Sequence, residues 1–454
     1  MYAQMKKYIE LIKGELMLPS LSLMKNAQWR HPMRMIKGII RHFHQDSLYR
    51  NSIYLMLSTF IMAFFGFFFW IINTKLFSSE EIGLATALIS SISLIANFSM
   101  LGLNLGIVRY LPKSEIKTQK INTVLTVVFA TTFLISMVYI VKLDYFAPKL
   151  IILKSNTYYS VLFIIIALFF ALDTVINNVF TAYRDTKYIL LKSVISSIIK
   201  IVAPLILFSY GAYAIFISAS FGSIITFIIS IFILYKNFAY KFRFMINIDV
   251  ISRMFKLSFG NYIASFTSSL PLTVLPILIT NKLGTKQAAY YFMAMSIISL
   301  LLTIQKSVNT SLFAEGSTDD KHIKKLIYKS IKFMSLFLIP SVITVILFGQ
   351  YILLFFGKEY STEGITLLRL LALSVFFTTI NGTLSSVLYL KEKVNLILIM
   401  CLIGPATLLT LIHIALPLGL TALGVAWLIG EALISLIYSI SVYIVLKDSN
   451  IKLK

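Results

Sequence analysis

The sequence predicts an all-α integral membrane protein of about twelve transmembrane helices. Three observations lead there: composition, the spacing of apolar runs, and the distribution of positive charge. The chain has 454 residues, of which 58% are hydrophobic and 13% charged. A soluble domain carries roughly 25% charged residues, and the mean hydropathy here is +0.87. Such a surface needs lipid around it. Tyrosines gather near the ends of the apolar runs, as an interfacial belt would.

A spanning helix needs about 20 mainly apolar residues. Runs meeting that length fall near 51–73, 82–108, 121–141, 158–181, 188–209 and 212–235. After a basic stretch they resume near 257–280, 286–309, 327–349, 363–388, 394–415 and 419–446. The weakest divisions are marked only by Tyr210-Gly211-Ala212 and Pro417-Leu418-Gly419.

The net charge of +23 invites a nucleic-acid reading, but its distribution follows topology instead. With both termini cytoplasmic, inner segments hold 32 Lys and Arg and outer loops hold 7, Lys200 and Arg369 lying within spans. Cytoplasmic loops are the richer in such residues. Adding or removing one helix would invert every later loop, so the count of twelve and the orientation support each other. No nucleic-acid partner is expected, and the expected location is the plasma membrane.

The expected organisation is a basic cytoplasmic segment 1–50, a six-helix lobe 51–235, a cytoplasmic linker 236–256, a second lobe 257–446 and a tail 447–454. Within the first segment, Met5–Met17 has apolar residues at helical spacing between lysines. It either lies on the membrane surface or is a basic tail. A repeat boundary shows at the midpoint. Asn73-Thr74-Lys75-Leu76 follows the first span and Thr280-Asn281-Lys282-Leu283 the seventh. Six spans per half is an even number, so the halves run parallel. The single cysteine, Cys401, sits in an apolar run and reads as a small core residue.

Several motifs resemble a known family. Phe64-Phe65-Gly66-Phe67-Phe68-Phe69-Trp70 leads to Lys75-Leu76, then Glu80-Glu81-Ile82-Gly83-Leu84-Ala85-Thr86. Leu101-Gly102-Leu103-Asn104 and Arg109-Tyr110-Leu111-Pro112 close the second span. Gly357-Lys358-Glu359-Tyr360 precedes Leu368-Arg369-Leu370-Leu371 in the second half. Together these resemble the polysaccharide flippases, the O-antigen and exopolysaccharide exporters of the multidrug/oligosaccharidyl-lipid/polysaccharide exporter superfamily. The resemblance implies two six-helix lobes facing a central cavity. It also implies a substrate oligosaccharide carried on a polyprenyl phosphate or pyrophosphate. Glycan-assembly enzymes are then candidate partners.

Ionisable groups in mid-membrane are functional candidates by default. Lys200 lies roughly 18 Å from the inner end of its span by helical rise, on a stripe with Ser193, Ser196, Ser197 and Pro204. A cation there suits a phosphate head group. Asp173 lies about 12 Å from its inner end, with Asn177 one turn on. Asp173 either pairs with Lys200 as a structural ion pair or leaves it free for substrate. Glu431, deep in the last span, reads as a packing residue or as a site for a coupling ion, with Na⁺ and H⁺ the candidates. Arg369 lines the cavity, pairs with Glu363 or snorkels outward. Arg109 favours snorkelling at the inner face. Pro271 and Pro276 are expected to bend the seventh span twice, as hinges for alternating access.

Three functions compete: a lipid-linked oligosaccharide flippase, a cation-coupled multidrug exporter, and a membrane glycan polymerase or ligase. The mixed deep charge favours the first. The longest outer loop, about 142–157, holds Asp144 as its lone acid and no histidine, which argues against an enzyme. No glycine-rich phosphate loop, nucleotide motif or Cys/His metal spacing occurs, so no cofactor is expected.

Overall fold

The computed structural model describes residues 47–112, 114–316, 323–391 and 393–451. Residues 1–53 and 54–454 are separate compact units. The basic segment 1–50, with Met5–Met17 in it, therefore lies outside the described residues except for its last four. Apart from the start of the first helix, the described residues belong to the second unit.

The described chain is helical, with no strand among the described residues. Its long helices are α1 (Ser47–Leu76) and α2 (Ser79–Ser99), then, after the short α3 (Leu103–Tyr110), α4 (Lys117–Val141). The four-residue α5 (Leu143–Phe146) precedes α6 (Thr157–Ala182), α7 (Lys187–Ile206) and α8 (Ala212–Phe238). The second series is α9 (Ile248–Lys282), α10 (Thr285–Gly316), α11 (Ile323–Leu354), the short α12 (Lys358–Glu363), α13 (Ile365–Leu390), α14 (Val394–Ala415) and α15 (Leu420–Ile451). Twelve of these are long and apolar enough to cross a bilayer, among the described residues. Helices dominate because lipid offers no partner for backbone N–H and C=O groups. The chain is a multi-pass membrane protein. Large side chains such as Leu134, Phe232 and Leu347 stand exposed on outward faces, which lipid tolerates and water does not.

The two series repeat with a nearly constant offset. α6 and α13 each have 26 residues, starting at 157 and 365, a difference of 208. α8 and α15 start at 212 and 420, the same difference. α2 and α10 start at 79 and 285, a difference of 206.

One expected span is divided. The apolar run 82–108 breaks after α2, where Leu101 has φ 48° and Gly102 φ 77°. Hydropathy is continuous across this point, so the sequence hides the turn. Gly102 is needed twice over: its φ is left-handed, and a Cβ would lie 2.8 Å from Tyr262 Cβ. Tyr262 reciprocates, its hydroxyl donating to the Phe98 carbonyl at 2.9 Å. The expected linker 236–256 holds the end of α8, a non-helical stretch over 239–247 and then, from Ile248, the first turns of α9. Helix α9 runs through both prolines as one helix.

The face predicted to be outer is where the two series meet most tightly. Ser78 caps α2 in a reciprocal box with Glu81, which fixes the start of that helix. One turn on, Gly83 sits so close to α10 that a Cβ would be 1.8 Å from the Thr285 carbonyl oxygen. Glu359 on α12 accepts hydrogen bonds from Ser79 Oγ at 2.9 Å and Tyr290 OH at 3.1 Å. Those hydroxyls, Ser79 foremost, hold its carboxyl below the ordinary glutamate range. Exposed Lys286 and Glu80 approach to 3.5 Å, which contributes little in water. The family-like residues Gly83, Gly102 and Glu359 are thus elements of packing and closure.

Candidate functional site

Two buried polar nodes stand at matching places in the two series. The first joins α6, α7 and α8. Lys192 Nζ lies 2.7 Å from Asp173 Oδ1, with 4% and 14% of the side chains exposed. The ammonium also donates to Asn177 Oδ1 at 2.6 Å, and Thr226 Oγ1 donates to Asp173 Oδ1 at 3.1 Å. Both charges are thereby paired and hydrogen-bonded, the condition for keeping them out of water.

This corrects the expected pairing of Asp173 with Lys200. α6 and α7 form an antiparallel hairpin, so pairing depends on depth. Asp173 is about 13 Å from Ala182 and Lys192 about 8 Å from Lys187, and the lysine's four-carbon stem covers the difference. Lys200 is about 20 Å in, beyond the carboxylate. The sequence reading missed Lys192 because the charge tally counts it among inner-face cations. Asn177, spaced one turn from Asp173, was the available signal.

Lys200 itself has no ion pair or hydrogen bond to the described residues. The exposed stripe of α7 is Leu191, Ile198, Val202 and Leu205. At 100° per residue, Lys200 lies about 180° from the centre of that stripe, on the side of buried Ser193, Ser197 and Pro204. The residue is half-buried and faces the bundle rather than lipid. Next to it, α7 and α8 close tightly, Ser196 Oγ lying 2.6 Å from where a Gly222 Cβ would be.

The second node joins α13 and α15. Asn381 Nδ2 donates to Glu431 Oε2 at 2.8 Å, and Ser435 Oγ donates to Asn381 Oδ1 at 2.8 Å. Asn381 is the seventeenth residue of α13, as Asp173 is of α6. Glu431 is 9% exposed and has no cationic partner among the described residues. Beside it opens a cavity of about 430 Å³ between α9, α10, α13, α14 and α15, bordered by Gln305, Thr378, Ser385, Tyr389, Tyr438 and Cys401. Sequence reading found Glu431 and missed Gln305 and Asn381. The repeat offset, applied to Asp173, points to Asn381.

The remaining candidates lie elsewhere. Arg369 is exposed and donates through Nε to the Ile346 carbonyl of α11 at 3.1 Å; it does not border the cavity. Arg109 is exposed at the end of α3, its guanidinium 5.6 Å from the Tyr110 ring. Of the two prolines, Pro271 lines the cavity and Pro276 does not. An apolar groove of about 580 Å³ runs between α1 and α10, bordered by Met56, Phe60, Phe64, Phe67, Leu300 and Thr303.

Comparison with known proteins places this geometry. The sequence family described as polysaccharide biosynthesis protein matches residues 48–314, more than half the chain. An uncharacterized membrane protein of Methanocaldococcus jannaschii is 25% identical over 433 residues, covering 88% of this chain and 97% of its own. Among solved structures, the lipid II flippase MurJ in an inward closed conformation superposes with a TM-score of 0.69 and 20% identity, over 86% of this chain and 87% of that one. An inward-facing multidrug resistance MATE transporter of the MOP superfamily gives 0.68 at 13% identity, over 87% and 99%. These neighbours share the fold.

Proposed function

Since this chain belongs to the polysaccharide biosynthesis protein family and shares its fold with a lipid II flippase and a MATE transporter, we propose that it moves a polyprenyl-phosphate- or pyrophosphate-linked oligosaccharide across the plasma membrane by alternating access. The direction is from the cytoplasmic to the outer leaflet, and both termini are cytoplasmic. We assign the protein no bond-making or bond-breaking step.

One observation carries this reading: the bundle-facing ammonium of Lys200 has no partner among the described residues, although a neighbouring lysine on the same helix is fully paired. An unpaired cation away from water is costly unless an anion arrives to use it. A phosphate or pyrophosphate supplies that anion, with charge-assisted hydrogen bonds. The groove between α1 and α10 offers apolar surface for the prenyl chain. Gly83 against Thr285 and Glu359 against Ser79 hold the two series together at the face predicted to be outer, a contact that alternating access would have to open to release cargo there.

A cation-coupled drug exporter would need free deep carboxylates. Asp173 is neutralised by Lys192, which leaves Glu431 as a deep acid without a cation and favours an anionic cargo. The test is transport of a fluorescent prenyl-pyrophosphate-linked glycan in liposomes. Lys200→Ala should reduce it at least about tenfold, the size of one lost charge-assisted contact, and Lys200→Arg should retain most of it. Undiminished transport by Lys200→Ala would overturn the reading. In cells, loss of the protein should cause one complete prenyl-linked glycan to accumulate, visible by mass spectrometry.

A further inference from the structure

The cavity of the second series holds groups that the movement of a phosphate does not use. Gln305 is 6% exposed, borders the cavity, and forms no hydrogen bond with the described residues. Gly382 leaves it room, since a Cβ there would fall 1.9 Å from Gln305 Nε2. An amide at this depth in the bundle has two donors and an acceptor to satisfy, and leaving them unmet is expensive. Glu431 adds a carboxylate whose Oε2 is held by Asn381. Ser265, Ser268 and Thr378 add hydroxyls, and Tyr389 and Tyr438 add aromatic rings.

The occupant must therefore offer both donors and acceptors, and it must have an apolar face for the rings. A bare metal cation would satisfy the carboxylate but not the donors of Gln305. A sugar ring meets all three demands: hydroxyls donate to the carboxylate and exchange hydrogen bonds with the amide, and the C–H face rests on an aromatic ring. The cavity of about 430 Å³ is at the small end of ligand pockets, a size for one ring and not for a chain. Charge then sets selectivity. With no cation beside Glu431 among the described residues, a carboxylate-bearing ring would place like charges about 4 Å apart, a penalty on the order of a thousandfold at a near-surface dielectric. An ammonium-bearing ring would be attracted.

We propose that this cavity receives a single sugar ring of the cargo, neutral or amine-bearing, and that Glu431 excludes rings carrying a carboxylate. The proposal rests on the flippase reading and adds a specificity to it.

The test uses the full chain in lipid nanodiscs, with free glucose, glucosamine and glucuronate as probes in saturation-transfer NMR. Wild type should give transfer to glucose and glucosamine and little to glucuronate. Gln305→Leu should lose about fivefold or more of the signal for both. Glu431→Gln should keep glucose, lose the advantage of glucosamine, and gain glucuronate by at least about tenfold and up to the roughly thousandfold penalty it removes; a gain cannot come from misfolding. Equal transfer to all three sugars, transfer to none, or a failure of Glu431→Gln to admit glucuronate would overturn the proposal. So would Glu431-dependent quenching of tyrosine fluorescence by Na⁺ with all three sugars silent. Binding of prenyl phosphate, measured in parallel, separates the two ideas. Prenyl phosphate bound without sugar overturns the cavity alone; sugar bound without prenyl phosphate overturns the flippase reading.

Discussion

Replacing Lys192 by Met leaves a carboxylate in the first series with one hydroxyl for company. The side chains of the pair are 4% and 14% exposed, so neither can turn to water. Breaking a buried pair from one side costs about 3–5 kcal/mol. Asp173→Asn should cost less, about 1.5–3 kcal/mol, because Lys192 keeps Asn177 Oδ1 at 2.6 Å and gains an amide carbonyl. The double variant Lys192→Met/Asp173→Asn removes both charges. It keeps the Thr226 hydroxyl within reach of the new amide and should fall within about 2 kcal/mol of wild type. The coupling between the two sites should then be at least about 2 kcal/mol, well above the few tenths expected of independent sites. Reversible SDS unfolding followed by circular dichroism gives the four free energies. Additive costs across the cycle would refute the electrostatic closure of the pair, and would return Asp173 to the pool of substrate-facing acids.

The closure around Gly83 and Glu359 can be tested in the same way. Gly83→Val puts carbon where the Thr285 carbonyl stands, at 1.8 Å for the Cβ alone; overpacking of this kind should cost about 1–3 kcal/mol in the same unfolding assay. Glu359 is held below its ordinary carboxyl value by donation from Ser79 and Tyr290. A depressed folded value means that its contribution is present above the ordinary value and lost only as pH falls through the depressed one. Wild type should melt above Glu359→Gln from neutral pH down through 4.5, the ordinary glutamate value, and the two should converge only below that. Gly102→Ala forces a Cβ into a left-handed turn and against Tyr262 at 2.8 Å; a loss of about 2 kcal/mol or more in the same unfolding assay is expected.

The twelve spans were legible because lipid imposes one length and one hydropathy on every crossing. Predicted and observed spans agree within a few residues, as in 158–181 against Thr157–Ala182. The break at Leu101-Gly102 was not legible, because a left-handed turn changes no hydropathy. Site geometry was legible only where charge is rare. Glu431 and Lys200 stand out in apolar runs, while Lys192 was masked by the rule that puts lysines at the inner face. Gln305 and Asn381 were missed because uncharged amides barely perturb an apolar average. Their importance arises from what stands opposite them after folding.

The constant offset between the two series has an evolutionary consequence. A unit with an even number of crossings returns the chain to the side on which it began, so two copies can be joined in tandem without either having to invert. The joint needs to bridge only the short stretch between Phe238 and Ile248. A founding gene of half this length would have made a symmetric dimer, with the same residue at the seventeenth place of both equivalent helices. Fusion of two such genes would lift that obligation. Asp173 and Asn381 now differ at that shared address, each free to mutate without altering its twin.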